Sequence, residues 1–240
     1  MRFQTPLVPA RLVRRYKRFL SDMVLEAGGA EVVAHCPNPG SMMGLAEPGM
    51  RCWLEPAPPG RKLAWGWRLV ELPGGHMAGI DTAVPNRIVA EALAAGTIPA
   101  LAGWPRVRAE VRMGARSRVD FLLEADDRPP LWLEVKNVHL RRSGDWAEFP
   151  DCVTARGARH LDDLAARIAA GDAAAMLYVV QRTDCTAFRL AGDLDPGYAR
   201  AFDAARAAGV MMMAHGTSIT AEGVRLVGEM PVDAAAQARG

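Results

Sequence analysis

The sequence predicts an α+β chain in two parts, a small β-rich domain over residues 1–81 and an α/β unit over residues 82–232, ending in a tail at 233–240. Three observations carry this reading. Nine of the 17 prolines fall before residue 74, among Gly-rich turns and short apolar runs, which is the texture of short strands joined tightly. Beyond Pro85, Ala-rich segments alternate with strand-like runs, the rhythm of helices laid on a sheet. A chain of 240 residues that is 50% hydrophobic and 23% charged is long enough for one large or two small cores.

The same composition excludes a disordered, collagen-like or coiled-coil chain. The longest unbroken apolar stretch, Ala173 to Val180, is far short of the roughly 20 residues that a membrane-spanning helix requires, so no membrane partner is expected. The start Met1 to Pro6 runs into basic residues without the apolar core and cleavage site of a secretory signal, which predicts a cytoplasmic protein. Cys36, Cys52, Cys152 and Cys185 are widely spaced with no C-x-x-C pair, so reduced thiols are expected. Lysine is rare: Lys17, Lys62 and Lys136 stand among 29 basic residues.

Residues 1–81 carry ten Lys/Arg against seven Asp/Glu. The excess is concentrated in Arg11, Arg14, Arg15, Lys17 and Arg18, which precede the first acid, Asp22, and are interleaved with Tyr16 and Phe19. This segment is either a phosphate-contacting arm or a solvated basic strand and turn. Val32 to Ala34 and Leu63 to Val70 are strand-like. In the second part, Asn86 to Ala95 reads as a short helix closed by Gly96, with Ile88, Glu91, Ala92 and Ala95 on one face. Glu91 is therefore expected to look inward, where a buried acid needs a partner or a cation.

Arg106 to Met113, Arg118 to Glu124 and Leu131 to Val138 are strand candidates. In the third, the period of two puts Trp132, Glu134, Lys136 and Val138 on one face, opposite Leu131, Leu133 and Val135. An amphipathic helix through Leu161, Leu164, Ala165 and Ile168 ends at Gly171, and Ala174 to Gln181 is a buried strand. Pro196 opens a helix that ends at Gly209, followed by strands at Val210 to Ala214 and Val224 to Met230. The Ala-rich tail from Asp233 to Gly240 carries no core signal and is expected to be frayed.

The chemistry concentrates on two of these strands. If Asp120 and Glu134 lie near the same end of neighbouring strands, their carboxylates can share a hard, oxygen-seeking cation such as Mg²⁺. Phosphodiester hydrolysis needs a cation to neutralise phosphoryl oxygens, a positioned water and stabilisation of the departing oxygen. Lys136 could orient the water or hold transition-state charge. Ordinary cross-strand ion pairing among Asp120, Glu134 and Lys136 is the other reading of the same residues. Asn38, Gly40 and Ser41 form either a phosphate-binding loop or a tight structural turn. Gln181 reaches a site edge or makes a plain strand-end hydrogen bond. Arg156, Arg159 and His160, near the start of the Leu161 helix, favour a phosphate or pair with Asp162 and Asp163. No Walker loop or dinucleotide fingerprint is present, so no nucleotide cofactor is expected.

A helix acid, a strand Asp and a Glu-x-Lys strand resemble the PD-(D/E)xK nuclease superfamily through Asp120, Glu134 and Lys136. The surrounding words are more specific. They are Arg15-Tyr16-Lys17-Arg18-Phe19, His35-Cys36-Pro37-Asn38-Pro39-Gly40-Ser41-Met42, Ser117-Arg118-Val119-Asp120-Phe121, Glu134-Val135-Lys136-Asn137-Val138, Phe149-Pro150-Asp151 with Arg156-Gly157, and Val180-Gln181-Arg182. Together they resemble the sugar fermentation stimulation protein A family over nearly the whole chain. Pro39 departs from the Thr expected in the His-Cys-Pro-Asn word, which removes a hydroxyl and a backbone donor there.

The resemblance implies an N-terminal OB-like β-barrel followed by a PD-(D/E)xK restriction-endonuclease-like domain, whose mixed central sheet is flanked by helices. It also implies DNA binding. The expected function is a metal-dependent nuclease that hydrolyses phosphodiester bonds of DNA, RNA or both. Asp120 and Glu134 would bind Mg²⁺ or Mn²⁺, Lys136 would assist the attacking water and Glu91 would complete or orient the site. Arg14, Arg15, Lys17 and Arg18 would hold the nucleic-acid backbone, with Gln181, Asn38 and Ser41 as further contacts. The alternative is a non-catalytic DNA-binding regulator of sugar (maltose) metabolism genes.

Overall fold

Along β1 (Val8–Tyr16), Ala10 and Leu12 are buried while Arg11, Val13 and Arg14 are exposed, the alternation of a strand with one face on a core. In the computed structural model of the chain, which describes residues 1–114 and 117–233, β1 is followed by β2 (Leu20–Leu25), β3 (Glu31–His35), β4 (Arg51–Pro56) and β5 (Trp65–Leu72). Antiparallel pairing links β2 to β1, β1 to β4, β4 to β5 and β2 to β3. A parallel contact of Ala34 with Trp65 and His35 with Gly66 then joins β3 to β5 and closes a five-stranded, OB-like barrel. Leu12, Met23, Leu54 and Trp67 fill it, together with Cys36 and Cys52. All four cysteines are free thiols.

A short strand, β6 (His76–Gly79), extends the barrel sheet beside β5 and leads into α1 (Val84–Ala94). The second sheet contains β7 (Arg106–Met113), β8 (Ser117–Glu124), β9 (Leu131–Val138), β11 (Ala173–Val180), β13 (Met211–Thr220) and β14 (Gly223–Met230). Its order is β14-β13-β11-β9-β8-β7. The central β9, β11 and β13 run parallel, and β7, β8 and β14 are antiparallel to their neighbours. Leu131, Leu133 and Val135 join Ile88 and Val89 of α1 in one core. The opposite face packs on α2 (Ala155–Ala169) and α3 (Pro196–Ala207), through Met176, Tyr178, Leu161 and Phe202. The alternation expected along β9 is the one observed. The fold is thus an OB-like barrel followed by a mixed sheet with helices on both faces.

Three features depart from the expectations. Strands β10 (Trp146–Phe149), β12 (Ala187–Leu190) and β15 (Val232–Asp233) form a small parallel sheet at the flank. Asp233 pairs there with Arg189, so the expected tail begins inside a strand, and residues 234–240 lie outside the described residues. Glu91 does not look inward. The buried stripe of α1 runs through Val84, Pro85, Ile88, Val89 and Ala92, because Pro85 and Val89 offer more apolar area than Ala95 on the other side of Ile88. Glu91 is exposed and accepts from the amino group of Met1 at 2.5 Å.

That contact belongs to a crossing of the chain start into the second domain. Phe3 N donates to Glu222 O, Val224 N donates to Met1 O, and Arg2 bridges Gly223. A Cβ at Gly223 would meet Met1 O at 2.3 Å, so only glycine allows this approach. Gly223→Ala is expected to release residues 1–3 from β14 and to cost about 1–3 kcal/mol in a chemical denaturation curve. An unchanged midpoint would show that the approach contributes nothing to stability.

Candidate active site

Strands β8 and β9 are paired from Phe121–Leu133 to Leu123–Leu131, and beyond Phe121 a side chain takes the place of the ladder. Asp120 Oδ2 accepts from Val135 N at 2.7 Å, and its Oδ1 accepts from Asn86 Nδ2 at 2.6 Å. Asn86, in the first turn of α1, thus reaches the position the sequence reading assigned to Glu91. The carboxyl of Asp120 is pushed up to about 6 by burial and by the neighbouring charge of Glu134, against those two hydrogen bonds and Lys136.

Glu134 is buried, and its two oxygens have different surroundings. Oε1 accepts from Lys136 Nζ at 2.6 Å and from His160 Nδ1 of α2. Oε2 is buried and has no hydrogen-bond partner among the described residues. Burial opposes the Glu134 charge, but His160 and Lys136 outweigh it and hold the carboxyl below its ordinary value. Within this coupled pair of acids, the proton taken up below about pH 6 therefore goes to Asp120, and Glu134 keeps the charge. Arg156 Nε donates to His160 Nε2 at 3.3 Å, which leaves the proton of a neutral His160 on Nδ1, facing Glu134.

His160 is the member that sequence reasoning placed at a helix start and did not connect to Glu134. The signal was present: His160 shares its spacing with Gly157, Leu161 and Leu164, the buried stripe of α2, and so faces the side of the sheet that carries Glu134 and Lys136. Gln181 lies at the end of β11 on the other face, with Asn137. Its Nε2 donates to Asn137 Oδ1 and to Asp81 O, and its main chain bonds Val138 and Gly79. It fastens β6 of the barrel to the second sheet and does not join the carboxylates.

Asn38 and Ser41 are at the domain seam. Asn38 is buried, accepts from Gly40 N at 2.8 Å and donates to Ile80 O at 2.9 Å, so its amide is spent on the turn. Ser41 N and Oγ both donate to Asp151. A Cβ at Gly40 would meet Asp151 Oδ2 at 2.5 Å, which explains the glycine. Asp151 also faces His139, 3.7 Å away, and lies well below the usual carboxylate range: burial works against its charge, and His139 leads the groups that overcome it.

The basic segment is β1 and its turn. Arg15 reaches back to the carbonyls of Arg18, Asn38 and Gly40, and Arg14 pairs with Asp22 at 2.7 Å. Lys17 and Arg18, both at positive φ, are exposed at the turn. The turn stands close enough to the second domain for Arg18 to act on the Cys152 thiol, beside the Asp151 loop that leads into α2.

A scan of known families places residues 83–223 in the sugar fermentation stimulation protein RE domain and residues 13–80 in the SfsA N-terminal OB domain. The chain is 65% identical to a sugar fermentation stimulation protein homolog of Dinoroseobacter shibae, over 99% of this chain and 98% of that one. The chain belongs to the sugar fermentation stimulation protein family. A second sugar fermentation stimulation protein homolog, from Jannaschia sp., is 63% identical over the whole of both chains. Among solved structures, SfsA of Pyrococcus furiosus, described in complex with Ca²⁺, superposes with a TM-score of 0.86 at 27% identity. That match covers 97% of this chain and 98% of the other. Among the described residues, no helix is long and apolar enough to cross a membrane.

Proposed function

We propose that the chain is a metal-dependent nuclease, with Asp120 and Glu134 holding Mg²⁺ or Mn²⁺ and Lys136 serving the hydrolytic step. The observation that carries this reading is Glu134 Oε2, a buried carboxylate oxygen without a partner among the described residues, set beside a second carboxyl whose ionisation it opposes. An orphaned buried acceptor and two mutually repelling acids are costly unless a cation is shared between them. Two carboxylates from the protein, with water completing the shell, would suit Mg²⁺, which keeps several waters when bound. The relative from Pyrococcus furiosus is described with Ca²⁺, which supports a divalent ion.

When bound, the ion neutralises phosphoryl oxygens and lowers the pKa of an attacking water. The chain's own residues do the rest. Asn86 and Val135 N fix the Asp120 carboxylate, and Lys136 and His160 fix Oε1 of Glu134, which leaves the buried Oε2 as the unengaged acceptor. Lys136 Nζ, held at 2.6 Å from Glu134, donates to the water or to a phosphoryl oxygen in the same space. Glu91, on the exposed face of α1, has no part in this.

Purified protein incubated with labelled single- and double-stranded DNA and RNA, with Mg²⁺, Mn²⁺ or EDTA, tests the proposal. Cleavage that requires metal and disappears in an identically purified Lys136→Ala variant supports it. Binding without cleavage under every metal favours a non-catalytic DNA-binding regulator.

The arm gives a second test. Lys17 and Arg18 are the exposed cations of the turn, and Arg15 is committed to backbone carbonyls. Lys17→Ala with Arg18→Ala is expected to reduce the salt slope of single-strand binding by about 1.4, at roughly 0.7 per phosphate contact. Arg15→Ala is expected instead to lower the melting temperature by loosening the Asn38–Gly40 turn. A slope that does not move in the double variant would remove the arm from binding.

A further inference from the structure

A cavity of about 520 Å³ lies at the seam between the barrel and the first turn of α1. Its walls include Arg61 and Lys62 from the loop between β4 and β5, Trp65 from β5, and Arg87 from α1. Its volume is that of a small-molecule site. Its electrostatics are those of an anion site. Arg68, also on the wall, is committed to Glu55 at 2.8 Å and to Asp81 at 2.7 Å. Arg61, Lys62 and Arg87 have no ion pair or side-chain hydrogen bond among the described residues, and all three are exposed. Three unneutralised cations around one concavity repel one another unless an anion lies between them.

Two further features narrow the anion. The N-terminal end of α1 carries the positive end of the helix dipole, met in part by Asp81, whose Oδ1 accepts from Ala83 N at 2.9 Å. Trp65 gives the wall a flat aromatic surface of the kind on which bases stack. Guanidinium groups suit the oxygens of a phosphate and the indole suits a base. We infer that this cavity binds a phosphate-bearing nucleotide unit, with the phosphate on Arg61, Lys62 and Arg87 and the base against Trp65. The inference rests on the reading of the chain as a protein that acts on nucleic acid. The unit is either a free nucleotide or one residue of a strand. Arg87 directly follows Asn86, which holds Asp120, so a strand seated here is gripped one helix position from the group that sets the candidate active site.

The test uses the full chain in EDTA, so that nothing is cut. Anisotropy of a labelled single-stranded DNA oligonucleotide and calorimetry with AMP are compared between the wild-type protein and an Arg61→Ala, Lys62→Ala, Arg87→Ala variant. Because the three side chains are exposed and unpaired, thermal melts of the two proteins are expected to coincide. Loss of about tenfold in oligonucleotide affinity, with a salt slope shallower by about 2, identifies the strand as the occupant. Loss of AMP binding alone identifies a free nucleotide. Equal binding of both ligands by the two proteins overturns the inference, as does failure of the wild-type protein to bind either. Cleavage by the wild-type protein with Mg²⁺ or Mn²⁺, scored separately, distinguishes a failed cavity from a failed nuclease reading.

Discussion

Glu134→Gln is expected to abolish metal-dependent cleavage and at the same time to lower the stability of the protein, and adding Lys136→Met is expected to restore the stability alone. Glu134 is 3% exposed, and its Oε1 is the acceptor for both Lys136 and His160. The substitution leaves the Lys136 ammonium in place with its counter-charge gone. Breaking one side of a buried pair costs about 3 kcal/mol, whereas replacing both partners by uncharged groups of similar volume is close to neutral. The sign with pH follows from the lowered Glu134 carboxyl: its contribution is present above the unfolded carboxylate value and is lost as pH falls through the folded one. The stability gap between wild type and Glu134→Gln should therefore be full at neutral pH and shrink in acid. Cleavage behaves differently, because it needs the anionic oxygen itself. Both the single and the double variant should fall by on the order of 10³-fold or more, the scale of several kcal/mol of transition-state stabilisation. Urea melts at neutral and acid pH, beside a cleavage assay, separate the two effects. A Glu134→Gln protein that still cuts nucleic acid would sink the site assignment.

Much of this site could be read from the sequence because a strand has a strict period. Once Leu131 to Val138 is a strand, Glu134 and Lys136 must share a face, and the structure has them 2.6 Å apart. The helix was harder. A stripe drawn through Ile88 and Ala92 can lean either way, and the sequence reading leaned toward Glu91 and Ala95, whereas the fold leans toward Pro85 and Val89. That rotation exchanged Glu91 for Asn86 as the α1 residue nearest the carboxylates. His160 was hidden for a related reason. Its partner is 26 positions away, and which helix covers which face of a sheet is a tertiary fact. The seam residues show a further limit. Asn38, Ser41 and Gln181 sit in motifs that suggest ligand contacts, yet the Asn38 amide is taken up within the barrel, and Ser41 and the Gln181 Nε2 bond across to the neighbouring domain. A short polar word looks alike whether it binds a phosphate or a neighbouring loop.

Asp120 supplies the complementary prediction, since its carboxyl is shifted the other way. A folded value of about 6, above the ordinary 3.8, means that the folded protein holds this proton more tightly than the unfolded chain. Stability without metal is therefore expected to fall as pH rises from the unfolded value toward 6, by about 3 kcal/mol, and to stay low above it. Asp120→Asn removes that loss. Its side-chain oxygen can still accept from Val135 N, and the Asn86 amide can turn to present its oxygen to the new NH₂ group, so both hydrogen bonds survive. In EDTA at alkaline pH the variant should melt above the wild type. A divalent cation reverses the order. It binds the ionised pair and stabilises the folded state in proportion to its affinity, which raises the wild-type melting temperature and leaves Asp120→Asn nearly unmoved. Because the ion must displace the Asp120 proton, its apparent affinity should drop about tenfold for each pH unit below 6. Thermal melts with and without Mn²⁺ across this range report all three effects. A metal response that survives Asp120→Asn unchanged, or one independent of pH near 6, would place the cation somewhere other than between these two carboxylates.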